Sequence, residues 1–419
     1  MRINRDKYLT ELISRKNTSL IKIVTGIRRC GKSYLLKEIY YDYLLSVGVK
    51  KENIIVISLD TIENENLLNP HNLLEFINSK INEDETFYLI LDEIQEVDNF
   101  VPLLNSLLQK KNLDVYVTGS NSKFLSTDIV TQFRGRSDQI YVMPLSFKEF
   151  FDCQNLSFDE AYDDYINYGG MPYLLQIKEI NQKINYLDSL FEEIYLKDIK
   201  ERYNIRNDKE MEELLNIIAS NIGTLISPIK LENTFKSVGK VSLSRNTIYS
   251  YLKIFEESFL IKKANRYDLK GKKYINAPLK YYFTDVGLRN SRLNFRQQEE
   301  PHIMENIIYN ELIRRGYKVD IGVVSEYTKN INNFNIYKQL EVDFVANIGN
   351  NRIFIQSAYN IPSKEKREQE TRSLNLLDNS FKKVIIVRNY LKPRRDEKGI
   401  ITICLEDFLL NENILNEIW

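Results

Sequence analysis

Eight residues near the start of the chain, GIRRCGKS at 26–33, restrict the possible folds more than any other stretch of its 419 residues. They follow the spacing Gly-x-x-x-x-Gly-Lys-Ser. The β-branched run IKIVT (Ile21–Thr25) precedes them and reads as a buried strand, while YLLKEIYYDYLL behind them carries apolar residues at helical spacing. Strand, glycine loop and helix in that order are the context in which this motif binds phosphate. Gly26 and Gly31 let successive backbone amides turn inward, an approach that a Cβ would obstruct. The helix N-terminus adds its dipole. The candidate nucleotide-binding residues are Gly26, Ile27, Arg28, Arg29, Cys30, Gly31, Lys32, Ser33 and Tyr34. Lys32 would reach the β- and γ-phosphates of ATP and the Ser33 hydroxyl would ligate Mg²⁺. An ordinary glycine turn is the competing reading, and the side chains of Arg28 and Arg29 read as solvated.

Further along, the apolar strand in TFYLILDEIQ ends in Asp92 and Glu93. A carboxylate at a strand's C-terminal end suits the Mg²⁺ water shell, which assigns Asp92 to the metal. Glu93 is placed to polarise the attacking water as general base. The next strand, DVYVTGSNS, ends where Ser120 or Asn121 would sense the γ-phosphate, unless it is a simple Gly-Ser turn. Arg134 and Arg136 precede a last strand, and either could be an arginine finger, with Arg136 preferred. A structural ion pair explains them equally well. Strands near 21–25, 53–59, 87–91, 115–119 and 140–143 alternate with helical segments, which predicts an α/β fold with a parallel sheet and its crevice at the strands' carboxyl ends.

Composition excludes more than it selects. Hydrophobic residues make up 43% and charged residues 28%, the balance of a soluble protein. No apolar run approaches the ~18 residues of a membrane span, and the charged first residues lack a secretory signal. Cys30, Cys153 and Cys404 are scattered, so a reducing cytoplasm is expected. Two histidines give no zinc cluster, and a net charge of zero leaves any nucleic-acid contact to a local patch.

Taken together, GIRRCGKS, LILDE, VTGSNS, FRGR…MPLSFKEF and YGGMPYLL resemble a prokaryotic family of AAA+-type ATP-binding proteins. Its members join such an ATPase to a C-terminal domain of unknown function. The resemblance implies nucleotide and Mg²⁺ at Lys32 and Ser33, metal at Asp92, catalysis at Glu93, a sensor at Ser120 or Asn121 and a finger at Arg134 or Arg136. The family's Gly-Gly-x-Pro element falls at Gly169, Gly170, Met171 and Pro172. It is similar to an element through which a helical lid reports on nucleotide, which adds Pro172 to the cofactor contacts. An ordinary helix stop explains the glycines nearly as well. No lid arginine matches the family's second sensor, so ordinary motor behaviour is not implied.

Residues 208–264 read as three helices with turns at Gly223 and Gly239 and an N-cap at Ser244, followed by a strand pair that would form a wing. Between Phe259 and Tyr282 stand seven Lys/Arg and one Asp, which suggests phosphate contacts. Arg245, Asn246 and Tyr249 lie where a recognition helix would meet DNA, although winged helices also serve as packing modules.

The last third changes pattern. A helix, three strands, a charged helix and a further strand resemble the PD-(D/E)xK nuclease fold, also called restriction-endonuclease-like. Glu305 and Asp343 match its acids, but Gln356 stands in the place of the next acid and Ala358 in that of the lysine. A neutral amide is a weak Mg²⁺ ligand and alanine cannot activate water, so the fold is expected without hydrolysis. An edge-strand acidic pair is the plain alternative for Glu341 and Asp343.

The sequence thus predicts an ATPase domain over 1–150, a helical lid over 151–207, a winged helix over 208–290 and an inactive nuclease-like domain over 291–419. The expected activity is Mg²⁺-dependent ATP hydrolysis controlling a DNA-binding or partner-binding C-terminal half. A nucleotide-gated recruitment switch with no DNA role and an active nuclease are the alternatives. Oligomeric state, and whether Arg136 acts on its own subunit or a neighbour, are open at this point.

Overall fold

The computed structural model describes residues 2–119, 133, 135–205, 208–238, 243–329 and 335–419. It divides into two compact units: residues up to Leu145 with Glu257–Phe259, and Ser146–Glu256 with Leu260–Trp419.

The first unit is built on β1 (Ile21–Thr25), β2 (Ile54–Ser58), β3 (Phe87–Asp92), β4 (Leu113–Gly119) and β5 (Ser137–Tyr141), in the spatial order β2-β3-β4-β1-β5. Every pairing is parallel. Parallel strands are covered on both faces and therefore run apolar throughout, which is why the sequence shows them as unbroken hydrophobic stretches. Ile23, Leu89, Leu91 and Val117 form one core with Leu73 and Ile77 of the helix Pro70–Lys80 and Leu103, Leu104 and Leu107 of the helix Phe100–Leu107. Each such side chain contributes roughly 1.5–3 kcal/mol through burial. β1 also carries a charge into this layer. Lys22 is fully buried and pairs with Asp114 of β4, whose other oxygen accepts the Tyr116 hydroxyl at 2.8 Å. Burial lowers the Lys22 ammonium's pKa against the opposing pull of Asp114.

Strand order decides where a ligand can sit. β4 separates β1 from β3, so the loop leaving β1 and the acids ending β3 flank the carboxyl end of β4.

In the second unit, helices Asp208–Ser220, Pro228–Val238 and Arg245–Glu257 lead into the antiparallel hairpin of β6 (Ile261–Asp268) and β7 (Lys273–Phe283). The expected turn at Gly239 lies outside the described residues. The hairpin differs from a free wing. Arg266, Tyr267 and Asp268 of β6 pair in parallel with Ile321, Gly322 and Val323 of β8 (Lys318–Lys329). β6 and β7 thereby extend the sheet that continues through β9 (Asn335–Ile348), β10 (Asn351–Ala358), β11 (Lys382–Val387), β13 (Ile400–Cys404) and the short β12 (Arg394–Arg395). Backbone donors on the outer edge of β8 are satisfied by β6 rather than by solvent.

Candidate functional site

Gly26 leaves β1 at φ 148°, and a Cβ built on it would lie 2.1 Å from the Val142 carbonyl oxygen. Glycine alone satisfies both the backbone angle and the close approach. Arg29 (φ 64°) and Gly31 (φ 100°) make two further reversals of the kind that turn successive amides toward a common centre. The Cys30 thiol is buried and donates to the Val142 carbonyl at 3.3 Å. Burial pushes its pKa up, so it packs the loop as a neutral thiol. The Lys32 ammonium, also buried, donates to the Gly26 and Ile27 carbonyls of its own loop at 3.1 Å each. Tyr34 accepts the Ile3 amide on its hydroxyl at 3.3 Å.

Opposite the loop, Asp92 collects three polar groups on a carboxylate that is 3% exposed. Ser33 donates to Oδ1 at 2.9 Å and Thr118 of β4 donates to the same oxygen at 2.6 Å. Lys37 pairs with Oδ2 at 2.7 Å and donates to the Ser58 hydroxyl at 2.7 Å; the Thr118 hydroxyl in turn accepts the Glu93 amide at 2.9 Å. Glu93 itself adopts left-handed backbone (φ 57°, ψ 50°), which costs on the order of 1–3 kcal/mol in a non-glycine residue and persists where neighbours enforce it. Its carboxylate accepts the Gln95 side-chain amide.

Ser33 and Asp92 therefore meet as a hydroxyl and a carboxylate, both hard oxygen donors, side by side beneath the phosphate loop. That donor set fits Mg²⁺.

The structure separates Arg136 from this group. Its carbonyl accepts the Ile21 amide at 3.0 Å, so it sits at the amino end of β5, while Tyr141 at the other end is level with Thr25. A five-residue strand spans about 13 Å. The exposed Arg136 guanidinium donates to Asn105 at 3.2 Å. Parallel pairing with β1 thus places Arg136 at the end of the sheet opposite the loop. Ser120, Asn121 and Arg134 lie outside the described residues.

Two participants escaped sequence reasoning. Thr118 stands two residues before the expected sensor, and Lys37 follows Ser33 by one helical turn, a spacing that places both on one face. The helix containing them is π-helical over Leu35–Tyr40.

In the second unit, Gly169 ends the helix Phe158–Tyr168, and Pro172 opens the 3₁₀ turn Pro172–Gln176. The backbone approach that the glycines allow is made to Asp285. A Cβ on Gly169 would lie 2.2 Å from an Asp285 carboxylate oxygen, and the Gly170 amide donates to that carboxylate at 2.7 Å. Arg245 is placed 3.4 Å from Glu232, with Asn246 and Tyr249 exposed on the same helix.

Glu305 of the helix Glu300–Arg314 and Glu341 of β9 meet on a lysine. Lys280 of β7 lies 2.9 Å from Glu305 and 2.6 Å from Glu341, and Tyr282 donates to Glu305 at 2.5 Å. Asp343 accepts the Ser357 amide at 2.7 Å, and the buried Gln356 carbonyl oxygen has no donor. Burial and the neighbouring Glu305 carboxylate push the Asp343 pKa well up. Burial opposes the Lys280 charge, yet the three carboxylates outweigh it and raise its pKa. Lys280, one of the seven basic residues between Phe259 and Tyr282, is buried and so is not open to phosphate contact. These residues do not fit a divalent metal, because the Lys280 ammonium already sits between Glu305 and Glu341. Among the described residues, no group of three or more His, Cys, Asp or Glu is arranged to hold one.

Comparison with known proteins gives two domain matches: an AAA domain over residues 18–151 and a domain of unknown function (DUF8612) over residues 159–299. An uncharacterized protein of Haemophilus influenzae is 33% identical over 414 residues, covering 97% of this chain and 98% of the relative. An uncharacterized protein of Methanocaldococcus jannaschii is 31% identical over 383 residues, covering 88% and 80%. Among solved structures, a Walker-type ATPase of Pyrococcus abyssi is similar at TM-score 0.49 and 14% identity, covering 70% of this chain and 96% of that one. Cdc6p of Pyrobaculum aerophilum is similar at TM-score 0.30 and 12% identity, covering 73% and 94%. Among the described residues, no helix is long and apolar enough to cross a membrane.

Proposed function

The chain belongs to the family of its Haemophilus influenzae relative and carries an AAA domain, and from that premise we propose that it binds ATP with Mg²⁺ and hydrolyses it. The observation that carries this reading is the convergence of Ser33 and Thr118 on one oxygen of Asp92, with Glu93 tethered to the same threonine. Lys32 leaves its two loop carbonyls to take the β- and γ-phosphates. Ser33 and Asp92 hold the metal, which when bound neutralises charge on those phosphates. Glu93 orients and polarises the attacking water for in-line displacement at the γ-phosphorus. Phosphate release from ATP tests this directly. Lys32→Ala is expected to lose nucleotide binding and turnover, and Glu93→Gln to keep binding while losing turnover. Equal rates in wild type and both variants would refute the assignment.

Arg136, at the opposite end of β5 from the loop, acts in this scheme on a neighbouring subunit's nucleotide, so turnover depends on assembly. The Gly169–Pro172 element serves as the lid contact. Its support is mechanical: Asp285, which grips Gly170, also caps the helix Val286–Arg292, every residue of which through Ser291 is buried. A change at the Gly169–Pro172 element would pass through that helix to the winged-helix segment and the nuclease-like sheet. Hydrolysis of nucleic acid is not part of the function, given Lys280 among the acids. The three cysteines are free, which suits a cytoplasmic setting.

For the C-terminal half, DNA is favoured over a protein partner by the hairpin turn, where Lys270, Lys272 and Lys273 are exposed. Duplex DNA binding that weakens steeply with salt, together with DNA-stimulated turnover, is the expected result. Absence of both, with sedimentation that changes between ADP and a non-hydrolysable ATP analogue, would favour the recruitment switch.

A further inference from the structure

The contact between Lys37 and Asp92 is not required by nucleotide binding, and it occupies the one carboxylate oxygen that the loop leaves open. Asp92 Oδ1 already accepts two hydroxyls, from Ser33 and Thr118. Oδ2 accepts Lys37 at 2.7 Å. The ammonium is steadied by the Ser58 hydroxyl at the end of β2, so it is fixed between two strand ends. Lys37 is 27% exposed and the Asp92 side chain 4%. A pair this sheltered is screened far less than a surface ion pair.

We propose that Lys37 is an internal cation that competes with the water shell of Mg²⁺ for Asp92 Oδ2, and so sets how much Mg²⁺ the nucleotide needs for tight binding. The inference rests on the ATP-binding reading above. While paired with Asp92, Lys37 neutralises a buried carboxylate that would otherwise repel a triphosphate. With Mg²⁺ bound, Ser33 would keep donating to Oδ1, Oδ2 would be the oxygen left for the metal's water shell, and Lys37 would have to give it up. The side chain can do so: it is long and reaches solvent along its exposed edge.

The test is equilibrium binding of a fluorescent ATP analogue, titrated with Mg²⁺ from an EDTA-treated start, for wild type, Lys37→Met, Lys37→Arg and Ser58→Ala. Lys37→Met is expected to lower the half-saturating Mg²⁺ roughly tenfold, the scale of one charge-assisted hydrogen bond. Affinity in EDTA is expected to weaken at the same time, and Lys37→Arg to stay within about twofold of wild type in both. Ser58→Ala, which removes only the hydroxyl steadying the ammonium, shifts the Mg²⁺ requirement downward by less and decides the matter should Lys37→Met fail to fold. An unchanged or higher Mg²⁺ requirement in folded Lys37→Met or Ser58→Ala, with nucleotide still bound, overturns the competition. Wild type that binds no nucleotide at any Mg²⁺ concentration overturns the ATP reading itself and this inference with it.

Discussion

Asp285 accepts the backbone amide of Gly170 at 2.7 Å across 115 residues of sequence. The same carboxylate accepts the Leu288 amide at 3.0 Å, capping the helix that follows it. One buried side chain thus fastens the end of the helix Phe158–Tyr168 to the helix Val286–Arg292. Next to it Arg289, fully buried, donates to the Ala219 carbonyl at 2.8 Å and the Gln297 carbonyl at 2.6 Å. Gly287 completes the fit, since a Cβ there would meet the Tyr168 carbonyl oxygen at 1.8 Å.

Asp285→Ala takes the acceptor from the buried amides of Gly170 and Leu288, among others, and is expected to destabilise the protein by about 3 kcal/mol. Gly169→Ala is expected to cost more, because it adds left-handed strain to a collision with the carboxylate. Urea denaturation measures both. A loss below about 1 kcal/mol in each would show that the junction contributes little to stability.

Burial raises the Asp285 pKa from 3.8 to about 6, against the amides of Gly170, Leu288 and Gly287 that favour its charge. The folded state therefore takes up a proton between about pH 4 and 6 that the unfolded state does not. The cost of burying the charged form is absent below the unfolded value and fully expressed above the folded one. Relative to Asp285→Asn, wild type should lose stability as pH rises from 4 to 6, by up to about 3 kcal/mol. A difference that is flat or rises over that range would contradict the assignment.

Thr118 bridges Asp92 and Glu93, donating to one and accepting the backbone amide of the other. Thr118→Val keeps the shape and removes both bonds. Turnover should fall roughly 10–100-fold with nucleotide binding changed much less, since the loss falls on the position of Glu93. Thr118→Ser should restore most of the rate. Equal turnover in wild type and Thr118→Val would remove the threonine from the machinery.

If Arg136 serves a neighbour, two inactive variants should rescue each other. A Lys32→Ala subunit still offers Arg136, and an Arg136→Ala subunit still binds ATP. Mixing them is expected to give turnover well above the sum of the separate rates, increasing with protein concentration. A mixture no faster than its parts, alongside wild-type turnover independent of concentration, would rule out a finger in trans.

Features read most directly from the sequence were those whose causes are local. Gly26, Gly31, Lys32 and Ser33 declare themselves by spacing, and β1–β4 by unbroken apolar runs that buried parallel strands demand. Their observed bounds fall within two residues of expectation, and β5 within three. What stayed hidden depends on approach between distant segments. Lys37 is an unremarked helical lysine until β3 brings Asp92 to it. The glycines at 169–170 read as a ligand contact because nothing near them in sequence names Asp285. Lys280 looked like one more lysine in a basic hairpin, yet β6 pairs with β8, and the sheet so formed draws Lys280 in among Glu305, Glu341 and Asp343. Ala358 offers no lysine at its position, and no local pattern said that one would arrive from β7.

The central claim is that the loop after β1 receives a triphosphate that Lys32 then holds. It is tested most directly by a crystal structure of the Glu93→Gln variant grown with ATP and Mg²⁺. The account predicts intact ATP in the loop, the Lys32 ammonium moved from the Gly26 and Ile27 carbonyls onto the phosphates, and Ser33 and Asp92 facing the metal. Saturating nucleotide with Lys32 still on those carbonyls and no triphosphate in the loop would contradict it.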